Sequence, residues 1–153
     1  MLLVALIVVG SIVALVVVMA LIGLALPRDH VATRSAVLGA APADVWREMV
    51  AVSQEPRFQQ GITFEIDEDR PPGSGQAGRR VTRIADDKLP FGGRWIYEVA
   101  AEGSGSRITI TEEGFVKNPV FRLLSATVFK QTATMEKLIR ALAAKLGVDV
   151  AWR

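Results

Sequence analysis

The chain has 153 residues, half of them apolar and 22% charged, with no cysteine, one histidine and a formal net charge of +2. A composition this apolar excludes a disordered or collagen-like chain, and the missing cysteines exclude disulfides, thiolate metal sites, Fe–S clusters and a cysteine nucleophile. With 18 Lys and Arg against 16 Asp and Glu there is no basic footprint of the kind that nucleic acid requires, so no nucleic-acid partner is expected.

The apolar residues are concentrated at the amino end. Met1 to Leu26 contain no charge, and only Gly10, Ser11 and Gly23 interrupt a run of Ala, Val, Ile, Leu and Met. As a helix at about 1.5 Å per residue this segment reaches roughly 39 Å, enough to cross a hydrocarbon core of about 30 Å with some tilt. A cleaved signal peptide is the competing reading, since Gly23-Leu24-Ala25 offers a small-x-small pattern. A signal peptide, however, carries basic residues ahead of a shorter apolar core, and this run begins at Met1. Residues 1–26 are therefore expected to form a transmembrane anchor and 27–30 a linker. Arg28 and Arg34 follow the span, which by the positive-inside rule places the remainder on the cytoplasmic side of a single-pass membrane protein. His30 falls in the linker and is expected to be solvated.

Beyond Pro27 the composition is that of a soluble domain, taken as residues 31–147 with 148–153 as a tail. Val31 to Leu38 reads as a strand. Pro42 suits a first helical turn, Asp44 favours a helix amino end, and Val45, Trp46, Met49 and Val50 mark one apolar face. Ser53 caps a second short helix that ends at Gly61. Ile62, Phe64 and Ile66 then alternate with Thr63, Glu65 and Asp67, the pattern of a half-buried strand.

Arg70-Pro71-Pro72-Gly73-Ser74-Gly75 is a turn, and further strands are expected over Gly78–Ala85, Arg94–Ala101 and Arg107–Val116, separated by Pro/Gly-rich punctuation. Successive strands joined by tight turns form an antiparallel meander. Asn118-Pro119 supplies a cap and a first-turn proline. Phe121, Leu124, Val128, Thr132, Met135, Ile139, Leu142 and Leu146 then recur at helical steps up to Gly147, with Thr127, Thr132 and Thr134 permitting a bend. Lys130, Lys137 and Lys145 fall on the opposite side, as a solvated face or as contacts to anionic lipid worth about 1 kcal/mol each.

The fold class is therefore α+β: a curved antiparallel sheet wrapped around a long C-terminal helix, preceded by one transmembrane helix. A curved sheet and a straight helix do not touch everywhere. The gap between them is expected to be lined by Phe64, Trp95, Tyr97, Ile110 and Met135, an apolar pocket of the kind that takes a hydrophobic small molecule or lipid. Aromatic residues at alternate strand positions also serve as cross-strand packing, so Trp95 and Tyr97 admit both readings. Trp46 is expected to be structural.

Ala41-Pro42-Ala43-Asp44-Val45-Trp46 after a first strand, the Trp95-x-Tyr97 strand, and Ile108-Thr109-Ile110-Thr111-Glu112-Glu113-Gly114 followed by Asn118-Pro119 and Arg122 resemble the START-like helix-grip superfamily, and within it the polyketide cyclase/dehydrase-type members. The resemblance covers Val31 to Leu146 and omits the anchor. It implies a hydrophobic cavity for lipids, sterols, polyketides or related molecules, and no single reaction.

Glu112 shares strand parity with Ile108 and Ile110 and so points inward, where a carboxylate must be paired, hydrogen-bonded or protonated. It is expected to contact Arg122 at the pocket rim or a polar group of the ligand; hydrogen bonding to nearby backbone is the plainer alternative. The sequence contains no Gly-x-Ser-x-Gly elbow, no Gly-x-x-x-x-Gly-Lys, no His-Glu-x-x-His and no dinucleotide glycine fingerprint. No cofactor or metal is expected. Three functional readings follow: a membrane-tethered binder of a hydrophobic small molecule or lipid; a cyclase, dehydratase or hydrolase using Glu112 with Tyr97 in the same cavity; and an interaction domain with a filled core.

Overall fold

The computed structural model of the chain describes residues 1–59, 61–73, 75–127 and 132–153. Helix α1 (Leu2–Ala25) is followed by strand β1 (Asp29–Leu38), helices α2 (Pro42–Ser53) and α3 (Pro56–Gln59), and strands β2 (Phe64–Arg70), β3 (Gly78–Ile84), β4 (Phe91–Glu102) and β5 (Gly105–Val116). Helices α4 (Pro119–Thr127) and α5 (Ala133–Leu146) and a short strand β6 (Val150–Trp152) complete the chain. The strands form one antiparallel sheet in the order β2-β3-β4-β5-β1-β6, so the expected meander is present and β1 closes onto its last strand.

α1 is long and apolar enough to cross a membrane, and its most apolar stretch is not buried against the rest of the protein. A signal sequence near the amino end meets the same criterion of length and apolarity. Gly23, near its end, is buried against α4: a Cβ there would lie 1.8 Å from the Pro119 carbonyl oxygen, so only glycine permits this approach.

The core lies on the concave face of the sheet. β1, β4 and β5 contribute Ala36, Leu38, Val99, Ile108 and Ile110, all inaccessible to solvent. α2 covers them with Val45, Trp46, Met49 and Val52, and α5 with Met135, Leu138, Ile139 and Leu142. α5 is the gripped helix of the expected architecture, and Gly147 ends it in a left-handed cap with φ of 66°.

The helical stretch beginning at Pro119 differs from the single apolar stripe that the spacing predicts. Asn118 Oδ1 does cap α4, accepting from Val120 N–H at 2.9 Å and Phe121 N–H at 3.3 Å. But α4 packs on α1 rather than on the sheet, and Phe121 is half exposed. A new helix begins at Ala133 after Thr132. The expected positions Val128 and Lys130 lie outside the described residues, as does the side chain of Thr127. Lys137 and Lys145 are exposed, and Lys145 reaches Glu55 at 2.6 Å.

Residues 148–153 include β6, which pairs with β1 through Ala36↔Trp152 and Leu38↔Val150, with the Arg140 guanidinium 5.0 Å from the Trp152 ring centre. Three residues are too few to carry a periodic signal. β2 departs from expectation in the other direction. A bulge between Ile66 and Glu68 interrupts its pairing with β3, and Ile66 is 53% exposed instead of packing in the core. As a sheet edge, β2 is kept polar by Glu65 and Asp67 against Arg83, and by Glu68 against Arg79.

These packing differences set a stability contrast. Ile139→Ala should destabilise the folded chain by about 2–4 kcal/mol, whereas Phe121→Ala should cost less than about 0.5 kcal/mol. Thermal unfolding of both variants in detergent checks this; equal losses would mean that one continuous stripe is buried after all.

A cleft between sheet and helix as the candidate functional site

Side chains on the concave face run in rows across the strands. Val99, Ile108 and Ala36 form one row. Arg80, Tyr97, Ile110 and Arg34 form the next, and beyond it lie Thr82, Trp95, Glu112 and Ala32. The face therefore changes from wholly apolar to mixed within two steps of the strand period. α2 and α5 together cover the apolar row. Where the rows become polar a cleft of about 390 Å³ opens between sheet and helix, within the size range of small-molecule sites.

Its floor is Arg80, Thr82, Trp95 and Tyr97. Phe64 and Ile66 of β2 form one wall, Ser53, Gln54, Phe58 and Gln59 from the α2–α3 region another, and Thr134 and Leu138 of α5 the roof. The Trp95 and Tyr97 rings lie 6.1 Å apart and tilted by 39°, so they present one continuous aromatic surface.

Of the residues expected to form the site, Phe64, Trp95 and Tyr97 line this cleft. Ile110 and Met135 do not; both are completely buried in the core behind it. Glu112 sits one strand beyond Trp95 and does not line the cleft. Its partner is not Arg122 but His30, with Nε2 3.7 Å from Glu112 Oε1. His30 is no solvated linker residue: β1 begins at Asp29, and the His30 ring lies against Gly114, where a Cβ would come within 2.5 Å of it. Arg122 instead donates to the carbonyl oxygens of Val116 at 2.8 Å and Lys117 at 3.1 Å. It lines a separate recess of about 140 Å³ with Pro27, Arg28, His30 and Ser125. The single-helix geometry that placed Arg122 at the rim of the pocket does not hold, because α4 turns away to α1.

Arg80 is the residue that the sequence reading missed. It is only 3% exposed, and its Nη1 donates to Asp69 Oδ2 at 2.7 Å, while Nε has no hydrogen-bond partner among the described residues. Adjacent Arg79 and Arg80 conceal in sequence which of the two faces inward; the parity of Arg80 with Thr82 is the one signal available. Arg79 faces outward to Glu68 and Glu98.

Burial pushes the Tyr97 hydroxyl well above the ordinary tyrosine range, against the opposing influence of the Arg80 guanidinium and the Thr82 side chain, so it remains a neutral phenol. Burial likewise raises Glu112 above the ordinary glutamate range, opposed by the charge of and a hydrogen bond from His30 and by a hydrogen bond from Trp95. At the far end of the Arg80 row, Arg34 Nε donates to Glu136 Oε1 at 2.9 Å, and Thr132 reaches the same oxygen at 3.2 Å. This polar strut ties the start of α5 to β1 beside the buried Met135 and Ile110. Among the described residues no three metal-ligating side chains cluster.

The sequence matches no protein-family model and no curated protein sequence. Solved structures do match in fold. Truncated norcoclaurine synthase from Thalictrum flavum is 14% identical with a TM-score of 0.51, covering 77% of this chain and 93% of its own. The same enzyme in complex with dopamine and hydroxybenzaldehyde is 12% identical with a TM-score of 0.50, covering 77% and 86%. Protein CV1439 from Chromobacterium violaceum is 18% identical over 81% of this chain and all of its own, with a TM-score of 0.41. The two norcoclaurine synthase structures, at identities this low, speak for fold alone: the chain adopts the Bet v 1/START-like helix-grip fold.

The raised Glu112 has a signed consequence. Its protonated form is the better buried one, so the associated stability is complete below the ordinary glutamate range and is lost as pH rises through the raised folded-state value. Glu112→Gln, neutral throughout, should gain stability relative to the unsubstituted chain as pH is raised from about 4 to about 8, by up to about 1 kcal/mol. Thermal melts across that range check it, and a loss that grows with pH would contradict it.

Proposed function

We propose that the protein binds a hydrophobic small molecule or lipid in the cleft between sheet and α5, with α1 tethering the domain to the membrane that supplies it. The observation that carries this reading is the cleft itself: an aromatic floor of Trp95 and Tyr97, apolar walls from Phe58, Phe64, Ile66 and Leu138, and a few polar groups among them. An apolar surface with convergent polar groups is the usual form of a ligand site. The fold supports the same reading, since a helix gripped by a curved sheet leaves such a space by its geometry. The span of α1 supports tethering, and Arg28 and Arg34 after it favour a cytoplasmic domain.

Binding rather than catalysis is the reading that the geometry favours. Tyr97 lines the cleft, but Glu112, the other candidate for proton transfer, is paired with His30 outside the cleft lining. Catalysis requires donor and acceptor within reach of one bound molecule.

Native mass spectrometry of the full chain, released from lipid nanodiscs, tests the proposal. The unsubstituted protein should carry a bound amphiphile that Ile66→Trp and Thr134→Trp, both of which fill the cleft from its walls, reduce at least about tenfold in occupancy. Chemical conversion of that molecule would move the assignment to an enzyme. A chain that carries nothing, with or without the substitutions, would leave an interaction domain.

A further inference from the structure

The least satisfied polar group near the cleft is the Arg80 guanidinium. It is 3% exposed, forms part of the cleft floor, and among the described residues donates from Nη1 to an Asp69 that is itself 44% exposed. Nε is buried with no partner among the described residues. Buried polar groups are nearly always hydrogen-bonded, and a buried guanidinium with an unmet donor is costly unless something completes it. Tyr97, which pairs with Arg80 across β3 and β4, and Thr82 on the same strand put two hydroxyls beside it. The β2 edge of the cleft, where Ile66 opposes Thr82, is 53% exposed at Ile66. The cleft therefore has a polar, dry end and an apolar, open rim.

We infer that the ligand is an amphiphile with one carboxylate head group, received by the buried Arg80, with its hydrocarbon body lying along Trp95 and Leu138 towards Phe64 and the open β2 edge. The inference rests on the cleft being a binding site, as proposed above. A carboxylate matches the guanidinium fork and supplies the acceptor that buried Nε lacks. A single negative charge fits better than two, because Asp69 already holds Nη1 at 2.7 Å and would repel a phosphate dianion. The same end offers an alcohol or an ester no countercharge to exploit, so the head group is selected by charge and the body by shape.

The test uses the full chain in nanodiscs near pH 8, titrated calorimetrically with octanoate, octanol and octyl phosphate after subtraction of empty nanodiscs. Octanoate should bind at least about tenfold more tightly than octanol, and more tightly than octyl phosphate. Arg80→Gln should erase the octanoate preference while leaving octanol affinity within about twofold, and Arg80→Lys should retain part of it. Comparing probes on the unsubstituted chain needs no variant to fold. Equal binding of octanoate and octanol, as expected if water alone completes Arg80, would overturn the carboxylate assignment and leave the cleft as a ligand site. So would tighter binding of octyl phosphate. No binding of any probe would overturn both.

Discussion

The structure depends on a mismatch between the inner face of the sheet and the helix laid upon it. α5 presents Met135, Leu138, Ile139 and Leu142, and together with α2 it closes the core over apolar groups such as Val99, Ile108, Ile110 and Ala36. One step along the strands the sheet offers Arg80, and the next step offers Thr82 and Glu112. Pressing an apolar helix onto these groups would strip them of water without replacing its hydrogen bonds. The helix grip is consequently tight at one end and open at the other, and the opening follows from which residues point inward, in addition to the curvature of the sheet.

Much of this architecture was legible in the chain. Period-two alternation located the strands, Pro42 and Asn118-Pro119 marked helix starts, and Gly147 marked the last stop. These signals are local, and their physics is settled by neighbouring residues alone. The misreadings share the opposite property. Phe121 and Met135 fit one helical stripe in sequence, but α4 finds its partner in α1, which no spacing encodes. His30 beside a proline and two charges looks like linker until β5 provides Gly114 for its ring to lie against. Ile66 reads as core until a bulge turns β2 at the sheet edge.

The candidate site divides along the same line. Phe64, Trp95 and Tyr97 line the cleft where strand parity and size place them in the sequence. Ile110 and Met135 share that parity or stripe, but lie where the helix closes the core. Glu112 was correctly turned inward and wrongly partnered, since distance along the sequence conceals that β1 lies beside β5 and brings His30 to it. Arg80 escaped because an arginine in a strand reads as solvent-facing by default, and only coordinates reveal one that is almost wholly enclosed.

The central claim is that the space above Trp95 is kept for a guest molecule rather than filled by the chain's own side chains. Intermolecular nuclear Overhauser effects on the lipid-reconstituted protein address it directly. The account predicts contacts from the protons of a bound amphiphile to the Trp95 ring and the Leu138 methyls. Contacts from Phe58 to both of these groups, with none from any non-protein molecule, would show that the cleft closes on itself and would contradict it.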